Sequence, residues 1–430
     1  MYPNKVHSGG DTNLHDQQNP LNIVSTSIQP LPSSIATTAA RQVALTTVGH
    51  TRKDTCSEVR HFVFVKVHKA GSDTLAVLFQ RFGDERNLSF VLPVHEWDLH
   101  WPHTLRERDY LPLKTNEFNL LTYHCLYNRS IMRRLMPAAT RYVTVLREPY
   151  SQFKSTFNYF NLPAKMRDRN ISTLPVDENF GLFLSDPQRF RRELKLSYLP
   201  NFLAFDLGYP PERDGAAANV TKAFEFIAEI ERDFTLVMIT EYFDESLVLL
   251  RRALCWPIHS ILYVSKNVRK YNKGVGKPNA SDPIDQRNKR RYRDWSPVDY
   301  VLYAHFNATL WRRAAAEPRF HEEVDYFREL LADVSTYCLQ KKEPRLALTV
   351  AASEWHEQFD VAPSMCARMK ESVLKYIKKL KGSYNALPNV TTVAPPGVSR
   401  VAAPGVAKAV GENALKKQPP VKKSGVAGGA

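Results

Sequence analysis

The sequence predicts an α/β protein in which a mostly parallel sheet is flanked by helices. Runs of β-branched and aromatic residues of strand length recur along the middle of the chain, and amphipathic helical segments separate them. This alternation is typical of a parallel sheet whose crossovers are helical. Hydrophobic residues make up 43% of the 430 residues and aromatic residues 11%, a composition that supports a buried core and excludes a chain disordered throughout.

The first predicted strand covers 61–67 and has the sequence HFVFVKV. A loop of small residues, HKAGSD, follows it. The next segment, TLAVLFQRF, places Leu75, Leu78, Phe79 and Phe82 on one helical face. The sequence therefore predicts a strand, a tight loop and a helix in immediate succession.

Three more predicted strands follow, each with a helix-like segment behind it: 118–124 before 131–136, 141–146 before 149–159, and 234–240 before 244–255. The lysine- and arginine-rich stretch 264–294 is predicted to be a basic surface loop. Residues 295–313 and 321–331 have helical spacing.

Composition predicts four regions along the chain: a flexible stem over 1–59, the α/β domain over 60–345, a helical extension over 346–380 and a disordered basic tail over 381–430. The tail carries seven Lys or Arg residues against one acid, so it accounts for much of the net charge of +15. A nucleic-acid partner is therefore not predicted. No apolar run approaches the roughly 18 residues that span a bilayer, which excludes a transporter or channel, and no secretory signal is readable.

The loop between the first strand and its helix is the first candidate site. Backbone N–H groups at the start of a helix point at one place and bind an anion there. Gly71 allows close approach of the backbone, Lys69 supplies a cation, and Ser72 or Thr74 supplies a hydroxyl donor. The GxxxxGK[ST] pattern is absent. The alternative is an ordinary turn with a threonine N-cap, and Asp73 opposes anion binding by its charge.

A second candidate site follows the 141–146 strand, where Arg147 ends the strand and Ser155 lies on the second turn of the next helix. Arginine and serine at the carboxyl end of a parallel strand can bind a phosphate. The alternative is an exposed arginine and an ordinary helical serine. Together, the two sites predict a ligand with two separated phosphates.

Four ordered blocks between about 61 and 340 resemble the galactose-3-O-sulfotransferase family: VKVHKAGSDTLAVLFQRFGDERNLSFVLP, LTYHCLYNRSIMRRLMPAATRYVTVLREPYSQFKSTFNYF, EYFDESLVLLRRALCW and DYVLYAHFNATLWRR. The resemblance implies a P-loop-like sulfotransferase fold and a sulfonate donor, 3′-phosphoadenosine-5′-phosphosulfate (PAPS). It implies that the acceptor is the 3-hydroxyl of galactose on a glycolipid, as in galactosylceramide, or on a glycoprotein. It also implies a Golgi enzyme with membrane association, although no anchor is visible in this chain.

The resemblance carries two donor-binding motifs onto this sequence. One is the 5′-phosphosulfate loop and the other is the 3′-phosphate motif, and together they give this set: Lys66, Lys69, Ala70, Gly71, Ser72, Asp73, Thr74, Arg147 and Ser155. Family members commonly have threonine at the positions of Val67 and Ala70 and a small hydroxyl residue at that of Asp73. These departures predict weaker donor binding.

Sulfonate transfer requires a group that takes the proton of the acceptor hydroxyl and cations that stabilise the leaving oxygen. Lys69 suits the second role. His124, at the carboxyl end of the 118–124 strand, is predicted to be the base by resemblance and position, and a histidine packed at a strand end is the alternative. Rival bases are His68, His95 and Glu96. The aromatic and polar segment around His95 is also a candidate for stacking on the galactose ring.

Two other function classes stay open. A catalytically weakened homologue that binds a nucleotide or glycan is motivated by Ala70 and Asp73, whereas a nucleotide kinase is disfavoured by the missing Walker pattern and would need magnesium. No metal is predicted, because the five cysteines include no CxxC pair and the chemistry needs none. Seven N-x-[ST] sequons hint at the secretory pathway.

Overall fold

The computed structural model describes residues 56–95, 98–113, 117–166, 176–211, 220–264, 283–340 and 344–385. Its centre is a parallel sheet of four strands in the order β2-β1-β3-β4. The strands are β1 (Phe62–Val65), β2 (Leu120–Leu121), β3 (Arg141–Leu146) and β4 (Leu236–Ile239). Helices flank this sheet, so the predicted fold class is confirmed.

The described helices are α1 (Ser72–Glu85), α2 (Arg129–Leu135), α3 (Pro149–Tyr159), α4 (Leu162–Lys165), α5 (Val176–Phe183), α6 (Pro187–Leu194), α7 (Phe202–Asp206), α8 (Val220–Asp233), α9 (Phe243–Leu254), α10 (Pro283–Trp295), α11 (Pro297–Ala316), α12 (Phe320–Cys338), α13 (Pro363–Met369) and α14 (Val373–Asn385). Short 3₁₀ turns cover Glu107–Asp109, Thr240–Tyr242 and Ile258–Ile261.

The core forms around β1, whose four residues are fully buried. Phe62 and Phe64 contact Phe79 of α1 with ring centroids 5.0 and 4.9 Å apart, so the helical face predicted from the sequence packs on the sheet. Trp256, which follows α9, stacks on Phe82 at 3.7 Å and closes this side of the core. Because β1 ends at Val65 and α1 begins at Ser72, the intervening loop lies at the carboxyl edge of the sheet.

A pair of reciprocal caps joins α7 to α11, and we call it the α7–α11 clasp. The side chain of Asn201, just before α7, accepts a hydrogen bond from the Val298 N–H in the first turn of α11. The carboxylate of Asp299 accepts in return from the N–H groups of Leu203 and Ala204 in α7, at 3.1 and 2.9 Å. Each helix therefore satisfies the free amides of the other, which fixes the position of the short α7.

Two predictions about the carboxyl-terminal half are wrong. Within the predicted basic loop 264–294, residues 265–282 lie outside the described part, but Pro283–Trp295 is a helix. Most residues of this helix are polar or charged, but Asn288, Tyr292 and Trp295 recur at helical spacing and form a buried face. The predicted extension 346–380 is not one helix. It contains an antiparallel hairpin of β5 (Leu348–Val350) and β6 (Phe359–Val361), followed by α13 and α14.

The predicted stem lies outside the described residues up to position 55, and the predicted tail lies outside them from 386. Residues 56–59 are joined to the domain, because Cys56 pairs with Cys255 and the Val59 N–H donates to the Leu254 carbonyl. No helix in the described ranges is long and apolar enough to cross a bilayer.

A second disulfide, Cys338–Cys366, joins the end of α12 to α13. A crosslink that closes 28 residues restricts the unfolded chain, so we expect the double variant Cys338→Ala/Cys366→Ala to lower the free energy of unfolding by about 3 kcal/mol. Urea denaturation followed by circular dichroism measures this change. Cys125→Ala is the matched control, because Cys125 is a buried free thiol and both disulfides stay intact. An equal loss in the control would show that side-chain volume, not the crosslink, matters.

Candidate functional site

The two predicted anion-binding motifs lie side by side at the carboxyl edge of the sheet. Thr240, directly after β4, donates its hydroxyl to the carbonyls of Ala70 and Leu146, 2.8 and 2.9 Å away. Arg147, directly after β3, donates to the Lys69 carbonyl at 3.1 Å. These bonds join the ends of three strands, so cations from both motifs belong to one site.

The loop before α1 has the backbone geometry of an anion cradle. Lys69 and Gly71 both have left-handed conformations, with φ of 57° and 72°. Gly71 is exposed, and a side chain there would be strained by its φ rather than by its neighbours, since an added Cβ would approach Thr240 only to 3.5 Å. The amides of Ser72 and Asp73, the first two of α1, have no partner within the helix and lie at its positive dipole end. This geometry suits a phosphate or sulfate group.

The polar side chains of the loop have different contacts. The Ser72 hydroxyl is buried and donates to the Val67 carbonyl at 2.6 Å, which holds the loop closed. The ammonium of Lys69 lies 3.9 Å from the centre of the Tyr159 ring, a cation–π contact. The Thr74 N–H donates to the Gly71 carbonyl as the first turn begins.

Lys66 is buried at the end of β1 and links the loop to β2. Its ammonium donates to the Asp73 carboxylate at 2.6 Å and to His124 Nε2 at 3.0 Å. His124 Nδ1 lies 3.1 Å from the Lys66 carbonyl, so a proton on Nδ1 completes the pair of bonds. Burial and the neighbouring His68 and Lys66 hold the pKa of His124 well below its usual value. His124 is therefore a neutral imidazole with both nitrogens bonded to Lys66.

Asp73 is the residue of this loop that is least suited to binding an anion. Burial raises the pKa of its carboxyl, but the Lys66 ammonium outweighs this and lowers the pKa below its ordinary value. Its side chain is 66% exposed in the first turn of α1. A carboxylate charge thus lies where the loop would receive an anion.

His68 differs from His124 in how its two nitrogens are used. The Asp206 carboxylate, buried at the end of α7, lies 2.9 Å from His68 Nδ1 and accepts the His68 backbone N–H at 2.8 Å. Within the described residues no group bonds to Nε2, and the side chain keeps 11% of its surface exposed. A carboxylate that fixes the Nδ1–H tautomer leaves Nε2 as a proton acceptor, the arrangement of a general base.

Aromatic rings surround His68. The rings of His124 and Phe202 lie roughly parallel to it, with centroids 3.9 and 5.3 Å away. Trp101 lies 4.3 Å away, and its Nε1–H donates to Asp206 Oδ1 at 2.8 Å. Asp206 therefore contacts both His68 and Trp101, and aromatic rings confine His68 on several sides.

The second motif lies on β3 and α3. Pro149 occupies the first turn of α3, and the Glu148 side chain caps the helix by accepting the Ser151 N–H at 2.8 Å. Ser155 lies one turn further along and is half-buried, as is Arg147. Gln152, between them, donates to the His68 carbonyl at 2.8 Å, so α3 also supports the backbone of His68.

The remaining rivals are separate from this cluster or outside the described residues. His95 is exposed, and its carbonyl accepts from Lys381 of α14 at 2.7 Å. Glu96 lies outside the described residues. In the described ranges no three His, Cys, Asp or Glu side chains group as metal ligands.

Asp206 was not predicted from the sequence as a site residue, and Trp101 was not singled out within the aromatic segment around His95. Asp206 lies in the apolar stretch NFLAFDLGY, and an acid inside such a stretch is a signal for a buried, paired carboxylate. Its partner, 138 residues away, is visible only in the fold.

Comparison with known proteins identifies the family to which the chain belongs. A sequence model described as galactose-3-O-sulfotransferase matches residues 14–380. The chain belongs to this family. The resemblance seen in the sequence is thus confirmed, and the parallel sheet is that of the sulfotransferase fold.

Individual members of the galactose-3-O-sulfotransferase family are about one-third identical to this chain. Galactosylceramide sulfotransferase of Mus musculus is 34% identical over 294 residues, which are 66% of this chain and 65% of that protein. Galactose-3-O-sulfotransferase 2 of Mus musculus is 33% identical over 304 residues, with 67% and 72% covered. Galactose-3-O-sulfotransferase 3 of Homo sapiens is 36% identical over 262 residues, with 60% and 57% covered. The chain thus matches somewhat less than two thirds of the length of the galactosylceramide enzyme.

Proposed function

We propose that this protein transfers sulfonate from PAPS to the 3-hydroxyl of a galactose unit on a glycolipid, such as galactosylceramide, or on a glycoprotein. The observation that carries the proposal is the His68–Asp206 pair beside an anion cradle that contains Lys69. Family membership supports the reaction class, and the printed names of the relatives support galactose and galactosylceramide as acceptors.

The residues present fit a donor with two separated phosphate groups. Lys69, the left-handed Gly71 and the first amides of α1 would hold the 5′ phosphosulfate end, and Arg147 with Ser155 would hold the 3′-phosphate. Asp73 is the one unfavourable group. When bound, the donor supplies a sulfonate group attached to a phosphate leaving group.

The protein's own groups have three tasks in this reaction. His68 Nε2 accepts the proton of the acceptor hydroxyl while Asp206 holds the imidazole and stabilises its charge. Lys69 stabilises negative charge that develops on the leaving oxygen. His124, which stacks on the His68 ring, bonds to the Lys66 ammonium and keeps it in place.

We assign the base to His68 rather than to His124, the residue first predicted. A base needs a nitrogen available to the substrate proton, and both nitrogens of His124 face Lys66. The low pKa of His124 also makes it a weak proton acceptor.

A binding homologue with weakened catalysis is the second candidate, and one observation favours it. The Asp73 carboxylate neutralises Lys66 and places a negative charge in the first turn of α1. A protein of this kind would bind adenosine 3′,5′-bisphosphate or a galactoside but transfer nothing.

We propose the Golgi lumen as the location. Two disulfides are typical of proteins that fold in an oxidising compartment, and seven sequons offer glycosylation sites there. Expression in animal cells followed by glycosidase digestion tests this. A chain that carries no glycan and remains in the cytosol would contradict it.

Transfer of labelled sulfonate from PAPS to galactosylceramide and to a galactose-terminated oligosaccharide tests the function. The rate with each acceptor also identifies the acceptor class. Normal binding of adenosine 3′,5′-bisphosphate with no transfer to any galactoside would reject the enzyme and favour the binding homologue. Repeating the assay with a chelator separates this reaction from a kinase, which needs magnesium.

Asp73→Ser is expected to strengthen binding of adenosine 3′,5′-bisphosphate by about 2- to 5-fold, because it removes a partly exposed charge from the first turn of α1. Isothermal titration calorimetry measures the change. Asp333→Ser on the exposed face of α12 is the matched control for the loss of one negative charge. Weaker binding in Asp73→Ser would mean that the bond to Lys66 supports the cradle.

A further inference from the structure

We propose that Trp101 is the platform on which the acceptor galactose stacks, so that its indole ring sets the sugar against His68. The proposal rests on the proposed function and adds the residue that selects the acceptor. Trp101 lies 4.3 Å from His68, ring centre to ring centre, and is only partly buried. A ligand can therefore touch the indole and the base together.

A hydrogen bond and several ring contacts hold the indole in place. Its Nε1–H bonds to the buried Asp206 at 2.8 Å. Tyr198 contacts it edge-on at 4.9 Å, and Phe202 and Phe205 lie at 6.0 and 6.3 Å. A ring fixed by packing and by a hydrogen bond loses little entropy when a ligand binds to it.

The same carboxylate sets both functional rings. Asp206 Oδ1 accepts from Trp101, while Oδ2 lies 2.9 Å from His68 Nδ1. The α7–α11 clasp fixes α7, at whose last residue Asp206 stands. The distance between platform and base is thus set by one rigid element, as a reaction at a single hydroxyl requires.

The chemistry of galactose suits such a platform. Its axial 4-hydroxyl leaves the C–H groups of C3, C4 and C5 on one face, and that apolar patch stacks on an electron-rich indole. The 3-hydroxyl projects from the rim of this patch toward neighbouring groups. Glucose, with an equatorial 4-hydroxyl, lacks this continuous patch, so the platform discriminates between the two sugars.

An ordinary packing role for Trp101 makes a different prediction. Such a role would leave acceptor recognition unchanged after truncation and would act only through stability or through Asp206. Two substitutions separate the cases. Trp101→Ala removes the ring and the N–H donor, whereas Trp101→Phe keeps an aromatic face and removes only the donor to Asp206.

The test measures kcat and KM for methyl β-galactoside and methyl β-glucoside, together with binding of methyl β-galactoside by saturation-transfer NMR. We expect Trp101→Ala to raise the galactoside KM by an order of magnitude, about 10-fold, and to reduce preference for galactoside over glucoside. Trp101→Phe should keep most of the affinity but lower kcat and shift its pH profile, because Asp206 loses one donor. Trp355→Phe, a half-buried tryptophan that contacts Arg319, is the matched control.

Titration with adenosine 3′,5′-bisphosphate shows that each variant is folded. Unchanged galactoside KM and NMR binding in Trp101→Ala, with an active wild type, would overturn the platform. A fall in kcat alone would do the same and would leave Trp101 as a positioning residue for Asp206. Failure of the wild type to act on any galactoside, with donor-site binding intact, would reject the proposed function itself.

Discussion

Replacing His68 with alanine is expected to lower kcat for sulfonate transfer by about 10²- to 10⁴-fold, because the acceptor hydroxyl loses the general base that we propose. Binding of adenosine 3′,5′-bisphosphate should persist, since His68 bonds to Asp206 and not to the cations of the cradle. Steady-state kinetics with saturating acceptor and calorimetry with the bisphosphate measure the two effects separately.

His124→Ala is the variant that distinguishes the two histidines. It leaves the His68–Asp206 pair intact but removes a partner of Lys66, so we expect a smaller loss of kcat together with weaker donor binding. Asp206→Asn provides an independent check, because it weakens the hold on Nδ1 and should reproduce much of the His68→Ala loss. Full activity in His68→Ala, with activity abolished in His124→Ala, would return the base to His124.

Lys69→Met is expected to lower kcat by about 10²- to 10³-fold, because it removes the cation that we propose stabilises the leaving oxygen. Methionine keeps most of the length of the side chain and can still pack on Tyr159, so the fold should be preserved. Single-turnover rates with bound PAPS report the chemical step directly.

Lys165→Met at the exposed end of α4 controls for the loss of one positive charge. Arg147→Ala should behave differently from Lys69→Met. It removes a proposed 3′-phosphate ligand and its bond to the Lys69 carbonyl, so the donor Kd should rise more than kcat falls. Equal effects of both variants on Kd, with an unchanged single-turnover rate, would assign Lys69 to binding alone.

The sheet and the position of the anion site were predictable because both depend on local patterns. The apolar run of β1, the helical period of α1 and the proline that begins α3 specify their elements within a few residues. Motifs at the ends of parallel strands then meet at one edge whatever the details of packing. That is why Lys69 and Arg147 were predicted to lie near one another.

The contacts on which we propose His68 as the base could not be predicted, because they join distant segments of the chain. His68 and Asp206 are 138 residues apart, and the link between Lys66 and His124 spans 58 residues. His124 follows β2 by three residues rather than ending the strand, and its ring lies against Lys66 and His68. Only the three-dimensional structure shows that both ring nitrogens of His124 bond to Lys66. The helix α10 was not predicted, because its three buried residues stand among a larger number of charged residues.

The α7–α11 clasp sets an order of events during synthesis. Residue 206 leaves the ribosome long before residue 299, yet the amides of α7 find their cap only on Asp299. All four strands of the parallel sheet and the anion loop precede α11 in the chain, so they leave the ribosome first. Asp206, at the end of α7, is held in position only after α11 has emerged. A nascent chain stopped shortly before residue 297 would therefore lack the cap of α7, and we expect the proposed base to be aligned only after α11 has emerged.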